Sequence, residues 1–514
     1  MRNIIARLLL SGLFVALTLS CYKDLSTEAT QSLPDIEITS EFERLDVFYG
    51  ETLTFTPEVR IKGRKASSIE YKWDMTLRPN DDEYALEIGN EKTLSYFVGN
   101  TPSSSPYIIR LTVTDKETGL VRSQSWNTFV SSPLGEGILV AHTADGGKTS
   151  DLSLLKAKPV TEGYASSPRI THNVFSMSNG GPIEGRVTAL CPVVSSNMQA
   201  YNLNRIFIGT ETDLIAVNYV DYKEDVRNGA LFQFAAEGAN PKVEAFFNYA
   251  GYAHGVISDG KFYNYVCNSS YLYSQVKYHN TPSEIFSTRT MTAAKYSQGD
   301  VYLVDVNQGK FYFMMGWMPG GSFQELTVNA TYQLKGASPI ACGIMKQDKA
   351  GFLVKTEDGA YYVTTINYSE DQPQASNFKV SDVAKNLDDA KGFAFCDNAD
   401  FFYYYTDRSI NVVIIAGKNV TFRTLTWEPE NKNEKITGLY HYQQAWYGTQ
   451  GKSEDEHLID THRLQMIITT YDETTGDGRI YLRPFNVTTG LFTKENNGVY
   501  EGFNEITAIT PTLR

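Results

Sequence analysis

The chain has little of what reactive or nucleic-acid chemistry requires. Its 514 residues include five cysteines and seven histidines. No two cysteines form a CxxC pair, so zinc-ribbon and thioredoxin patterns fail on spacing. The histidines, at 142, 172, 254, 279, 441, 457 and 462, form no HExxH. No GxSxG elbow, P-loop or three-glycine dinucleotide turn is present. Positive charge is scarce: 46 Lys and Arg against 59 Asp and Glu leave −13, with no strongly basic segment. Phosphate binding needs concentrated Lys and Arg, so no nucleic-acid partner is expected. There is no long amphipathic helix; Val380 to Lys391 is one short helical candidate.

Aromatic residues are plentiful, with 33 Tyr and 27 Phe. That abundance, with 42% apolar residues, excludes a disordered chain and points to strands. The length allows two or three domains.

Arg2 and Arg7 precede an apolar run, Leu8 to Leu19, that is too short to cross a bilayer as a helix. It fits the apolar region of a secretion signal. The run ends in Thr18-Leu19-Ser20-Cys21 with no acid before the cysteine. This start resembles a bacterial lipoprotein signal, with Thr18 where Leu, Val or Ile is usual. The resemblance implies cleavage after residue 20 and acylation of Cys21; the plain alternative is an ordinary signal peptide with an incidental cysteine. Acyl chains anchor with about 0.8 kcal/mol per buried CH₂. Tyr22-Lys23-Asp24 is similar to the surface-export signal of Bacteroidetes lipoproteins. Leu25 to Pro34 is polar and aperiodic, so residues 21–34 read as a flexible tether. The mature chain would carry 44 − 59 = −15, which suits a body held off the membrane by its lipid alone. Of the other cysteines, Cys267, Cys342 and Cys396 lie in apolar or aromatic runs, and Cys191 stands far from them. Buried thiols are the expected state, with one or two disulfides the alternative in an exported chain.

Residues 35–132 show short alternating runs, among them Glu51 to Val59 and Ile108 to Val113, as in half-buried strands. About seven such runs in roughly a hundred residues predict an Ig-like sandwich with Trp73 in its core. Tyr49-Gly50-Glu51, Lys72-Trp73-Asp74 and Tyr107 to Asp115 resemble a PKD domain, although Met75-Thr76-Leu77 replaces the family's glycine-rich turn. Such a domain is expected to act as a spacer.

Residues 133–514 carry a repeat: an apolar strand, a tight turn, then a strand rich in Tyr and Phe. It appears around Gly260, Gly309 and Gly359, spaced by 49 and 50 residues, and a further step of 50 reaches Ser409. Outer copies fall at Gly146-Gly147, Thr212-Asp213 and Asp477-Gly478. Glycine suits these turns because they need positive φ. Seven units of about fifty residues predict a seven-bladed β-propeller. Glu505 to Ile509 would close the ring in the first blade. Six or eight blades, or two sandwiches, are the alternatives. The fold expected is therefore all-β, a PKD-like sandwich followed by a propeller.

Thr143-Ala144-Asp145-Gly146-Gly147-Lys148-Thr149 is similar to the Asp-box of sialidases, which in that family is a hairpin turn away from the active site. It predicts a blade turn. His457 and His462 stand among Glu454, Asp455, Glu456 and Asp460, an insertion read as a solvated acidic loop in preference to a cation site. No catalytic residue, metal or cofactor is assigned. Trp317, Trp446 and Tyr447 sit beside loop glycines and are the candidate ligand-binding residues; packing between blades is the plain reading of each.

Taken whole, the chain resembles the PKD-like lipoproteins of Bacteroidetes. That resemblance implies an outer-membrane, outward-facing, non-catalytic accessory to a SusC/SusD-type importer, binding an oligopeptide or glycan. The competing expectation is a surface hydrolase or lyase, and a third is a subunit that only braces the importer.

Overall fold

The computed structural model describes residues 35–62, 68–103, 105–164, 167–193, 205–232, 243–250, 253–258, 261–266, 279–280, 291–295, 300–315, 323–328, 330–368, 373–444 and 459–512. The chain divides into two compact units between Pro133 and Leu134.

The first unit is a sandwich. Its larger sheet runs in the order Arg44–Phe48, Val121–Ser131, Tyr107–Asp115, Ile69–Thr76, Tyr84–Gly89. Asp35–Thr39 pairs with Glu58–Lys62, and Thr52–Phe55 with Leu94–Phe97. Alternation decides which side chains turn inward. Tyr107, Ile109, Leu111 and Val113 are buried together with Trp73. The Trp73 indole packs edge-on against Phe55, and its Nε1–H donates to the Glu91 carbonyl at 2.8 Å. The alternating run from Glu51 to Val59 is two strands in two sheets, broken at Thr56-Pro57. Proline has no N–H for a ladder, so the break falls there.

The second unit is a β-propeller. Among the described residues its strands form seven antiparallel sheets. Their innermost strands are Val187–Val193, Val243–Ala250, Met291–Lys295, Ser338–Met345, Gly392–Phe395, Lys435–His441 and Glu505–Thr512. Each touches the next, and Glu505–Thr512 returns to Val187–Val193. That last strand pairs with Gly137–Thr143, so the end of the chain supplies the inner strand of the sheet its beginning started. Phe401–Tyr405 is buried at all five positions because its sheet is covered on both faces.

Antiparallel neighbours alternate direction, so the hairpins between second and third strands share one face of the ring. Connections between first and second strands, and between third and fourth, share the other. Several of the hairpins share a chemistry: a Thr or Asp at or just after the end of the strand before the turn takes up turn N–H groups with its oxygen. Thr210 Oγ1 accepts from Thr212 and Asp213, Asp305 Oδ1 from Asn307 and Gln308, Thr406 Oγ1 from Arg408 and Ser409, and Asp472 Oδ1 from Thr474. The segment from Thr143 to Thr149 is such a hairpin. Asp145 accepts from the Thr149 N–H and hydroxyl and from the Thr143 hydroxyl, and these bonds hold its carboxyl at about 2.

Two expectations need correction. The seventh turn is not Asp477-Gly478: Gln465–Asp472 turns through Gly476, at φ 72°, and Asp477 already begins the next strand. Gly478 is a glycine for another reason, since a Cβ there would lie 2.0 Å from the Asn504 carbonyl oxygen. Val380 to Lys391 is not a helix. Val380 and Ser381 donate to the Tyr361 carbonyl, a turn follows, and Asn386 at φ 58° precedes a 3-10 turn at Leu387–Asp389. The left-handed backbone at Asn386 breaks the segment where a right-handed helix would have to continue.

Candidate functional site

Cys21, Trp317, Trp446, Tyr447, Cys267, His457 and the acids at 454–456 lie outside the described residues, as does the Gly260 turn. The flanking strands still locate two of the segments. Residues 316–322 follow Lys310–Met315, the third strand of its sheet, and residues 445–458 follow Lys435–His441, the first strand of its sheet. Both ends open on the face opposite the repeated hairpins.

The described ends of the second segment are pinned. The Gln444 N–H donates to His462 Nδ1 at 2.9 Å, and Gln444 Nε2 donates to Glu136 Oε1 at 2.8 Å. Glu136, itself buried, also accepts the Glu162 N–H at 3.0 Å. Thr461 and Gln465 both donate to the Pro159 carbonyl. The base of the insertion is thus tied to the first sheet of the ring, whose strand Gly137–Thr143 follows directly on Glu136. Loops held at the base and extending from a rigid scaffold are the usual carriers of binding function.

Beside this base lies a buried polar cluster. Asp397, Asn398 and Ala399 belong to the connection between Gly392–Phe395 and Phe401–Tyr405, and His441 ends Lys435–His441 in the adjoining sheet. Arg463, at φ 59°, has its carbonyl held by Asn398 Nδ2 at 2.6 Å and by His441 Nε2 at 3.2 Å. Its guanidinium lies 2.8 Å from Asp397 Oδ2, and Asp397 Oδ1 lies 3.5 Å from His441 Nδ1. Burial pushes the His441 imidazole down from its ordinary value, with the Asp397 charge opposing. Sequence reading passed over these residues because Asp397 and His441 are 44 positions apart and match no motif. The repeat held the signal: both positions stand where an inner strand ends, in consecutive units.

A second buried histidine bears on the hydrolase reading. His142 Nε2 lies 2.8 Å from Ser153 Oγ, which lies 3.2 Å from His172 Nδ1. Ser153 is 0% exposed, so in this state no substrate reaches its hydroxyl, and the trio cross-links three strands of the first sheet. Burial lowers the His142 pKa, opposed by Asp151 and aided by His172. The fold therefore favours neutral His142. Its contribution is complete above the unfolded value near 6.5 and is lost as pH falls below it. The second unit's melting temperature should drop between pH 7 and 5.5, and His142→Gln, which keeps a donor for Ser153, should flatten that slope. An unchanged slope in the variant would remove His142 as the cause. Cys191 and Cys396 are buried thiols, pushed up by burial as expected for residues that serve packing, and Cys342 is half-buried.

No curated protein sequence matches the chain. Solved structures similar to it include a quinoprotein alcohol dehydrogenase-like protein from Bacteroides thetaiotaomicron VPI-5482, 13% identical, covering 93% of this chain and 98% of that one with a TM-score of 0.40. The propeller domain of Cps50 (Swd1) from Myceliophteria thermophila is 8% identical, covers 62% and 87%, and has a TM-score of 0.37. Apo AztD from Citrobacter koseri, 8% identical, covers 87% and 99%, also with a TM-score of 0.37. Residues 21–186 match the model of the PKD-like family, so the N-terminal part of this propeller-bearing chain is PKD-like.

Proposed function

We propose that the protein is a non-catalytic, lipid-anchored accessory of an outer-membrane importer of SusC/SusD type. Cys21 carries the lipid, the PKD-like sandwich is the spacer, and the propeller is the body that meets ligand or partner. The binding face is the one bearing the connection through residues 445–458, with Trp446 and Tyr447, and the connection through 316–322, with Trp317. The observation that carries this reading is the pinned base of the insertion, from Gln444 to Glu136 and His462. Fixed ends reduce the entropy that such a connection has to lose on binding. Oligopeptide or glycan is the ligand class, since aromatic side chains grip either by stacking.

The test is affinity capture of the natively anchored protein from outer membrane in mild detergent, read by mass spectrometry. Stoichiometric recovery of a SusC/SusD-like pair is expected. Recovery of the protein alone, under conditions that keep a known importer complex intact, would overturn the subunit reading.

A further inference from the structure

The cluster at Asp397, Asn398 and His441 has an electrostatic conflict that its own hydrogen bonds do not relieve. Asp397 Oδ1, Asn398 Oδ1 and His441 Nδ1 are all buried without a hydrogen-bond partner. The His441 side chain is 3% exposed and that of Asp397 10%. His441 Nε2 faces the Arg463 carbonyl, so it is the nitrogen that carries the proton. The Nδ1 lone pair is then directed at a carboxylate oxygen 3.5 Å away, acceptor against acceptor. Buried acceptors in such a pair are costly unless something positive lies between them.

We propose that His441 Nδ1 and Asp397 Oδ1, with Asn398 Oδ1 as a third donor, form a binding site for a divalent transition metal ion. Two donors each about 2.1 Å from a common ion and 3.5 Å apart subtend about 113°, close to the tetrahedral angle. The outer contacts are those of a metal site. A ligating histidine typically donates its other N–H to a carbonyl or carboxylate, and His441 donates to the Arg463 carbonyl. A ligating carboxylate is itself held, and Asp397 is held through Oδ2 by the Arg463 guanidinium. Arg463 adopts a left-handed backbone that brings both its carbonyl and its side chain to the cluster. A nitrogen-and-oxygen donor set with a neutral imidazole suits zinc, cobalt or nickel better than calcium or magnesium. The ion would join the connections of two adjacent sheets on the face of the insertion.

The test is titration of the metal-free full chain with Co²⁺, read by visible absorption and by melting temperature, with Ca²⁺ as the control cation. One equivalent of Co²⁺ should give a ligand-field band and raise the melting temperature, while Ca²⁺ does neither. Asp397→Asn and His441→Gln should each abolish the band, and Arg463→Lys should weaken binding tenfold to a hundredfold. His457→Gln should retain the band, which separates this site from the acidic insertion. The folding of each variant is checked by its metal-free melt. If His441→Gln fails to fold, the milder Asp397→Asn decides. No saturable band at one equivalent, or a band that survives in folded Asp397→Asn, overturns the proposal.

Discussion

Removal of residues 505–514 abolishes cooperative unfolding of the propeller and leaves the sandwich's own transition in place. Glu505–Thr512 is the inner strand of the first sheet, hydrogen-bonded along Gly137–Thr143 and touching the inner strands on both sides. Ile506, Ala508 and Ile509 are buried, and Arg186 clamps Glu505 through both guanidinium nitrogens at 2.6 and 3.1 Å. Burying each isoleucine contributes about 1.5–3 kcal/mol. Each ladder hydrogen bond adds about 1 kcal/mol. Those losses together are comparable to a domain's whole stability, about 5–15 kcal/mol. The deletion would also leave the edge of Gly137–Thr143 unpaired, so aggregation should accompany the loss. Calorimetry of the full and shortened chains checks this, with two transitions expected to become one. A shortened chain that keeps both would refute ring closure by this strand. The single change Ile506→Ala should cost about 2–5 kcal/mol and lower only the propeller transition.

The second large effect lies in the other unit. Trp73→Ala should destabilise the sandwich by about 3–5 kcal/mol. The indole is fully buried against Phe55 and Trp126, and its removal also leaves the Glu91 carbonyl without its donor. Trp73→Phe restores most of the volume and should recover part of the loss, the remainder reporting the hydrogen bond. The propeller transition should not move. A Trp73→Ala sandwich that melts like the parent would mean that the indole does not hold the two layers together.

Local pattern and tertiary contact divide cleanly in this protein. Alternation in Ile108 to Val113 marks a strand because the side-chain period of two is a property of the extended backbone itself. The spacing of Gly309, Gly359 and Ser409 marks a repeat because each unit must turn back at the same place to pair. Where a local pattern had a tertiary competitor, it misled. Val380 to Lys391 was a helical candidate, but the chain turns left-handed at Asn386 and ends in a 3-10 turn. Gly478 looks like a turn glycine but lies in a strand, where the close approach of Asn504 leaves no room for a side chain. The Thr or Asp at the end of several second strands was open to view in the sequence, at Thr143, Thr210, Asp305, Thr406 and Asp472, but its role as an acceptor for the turn emerges only with the turn in place.

The sequence by itself determined the strands, the repeat and the sandwich with its tryptophan, because each rests on periodicities and spacings within a few tens of residues. Only the tertiary structure decided how Asp397 meets His441 and Arg463, and how Glu136 ties down Gln444. Those contacts join residues from 22 to more than 300 positions apart. Such pairs leave no trace in local pattern, since closing the ring is what brings them within reach.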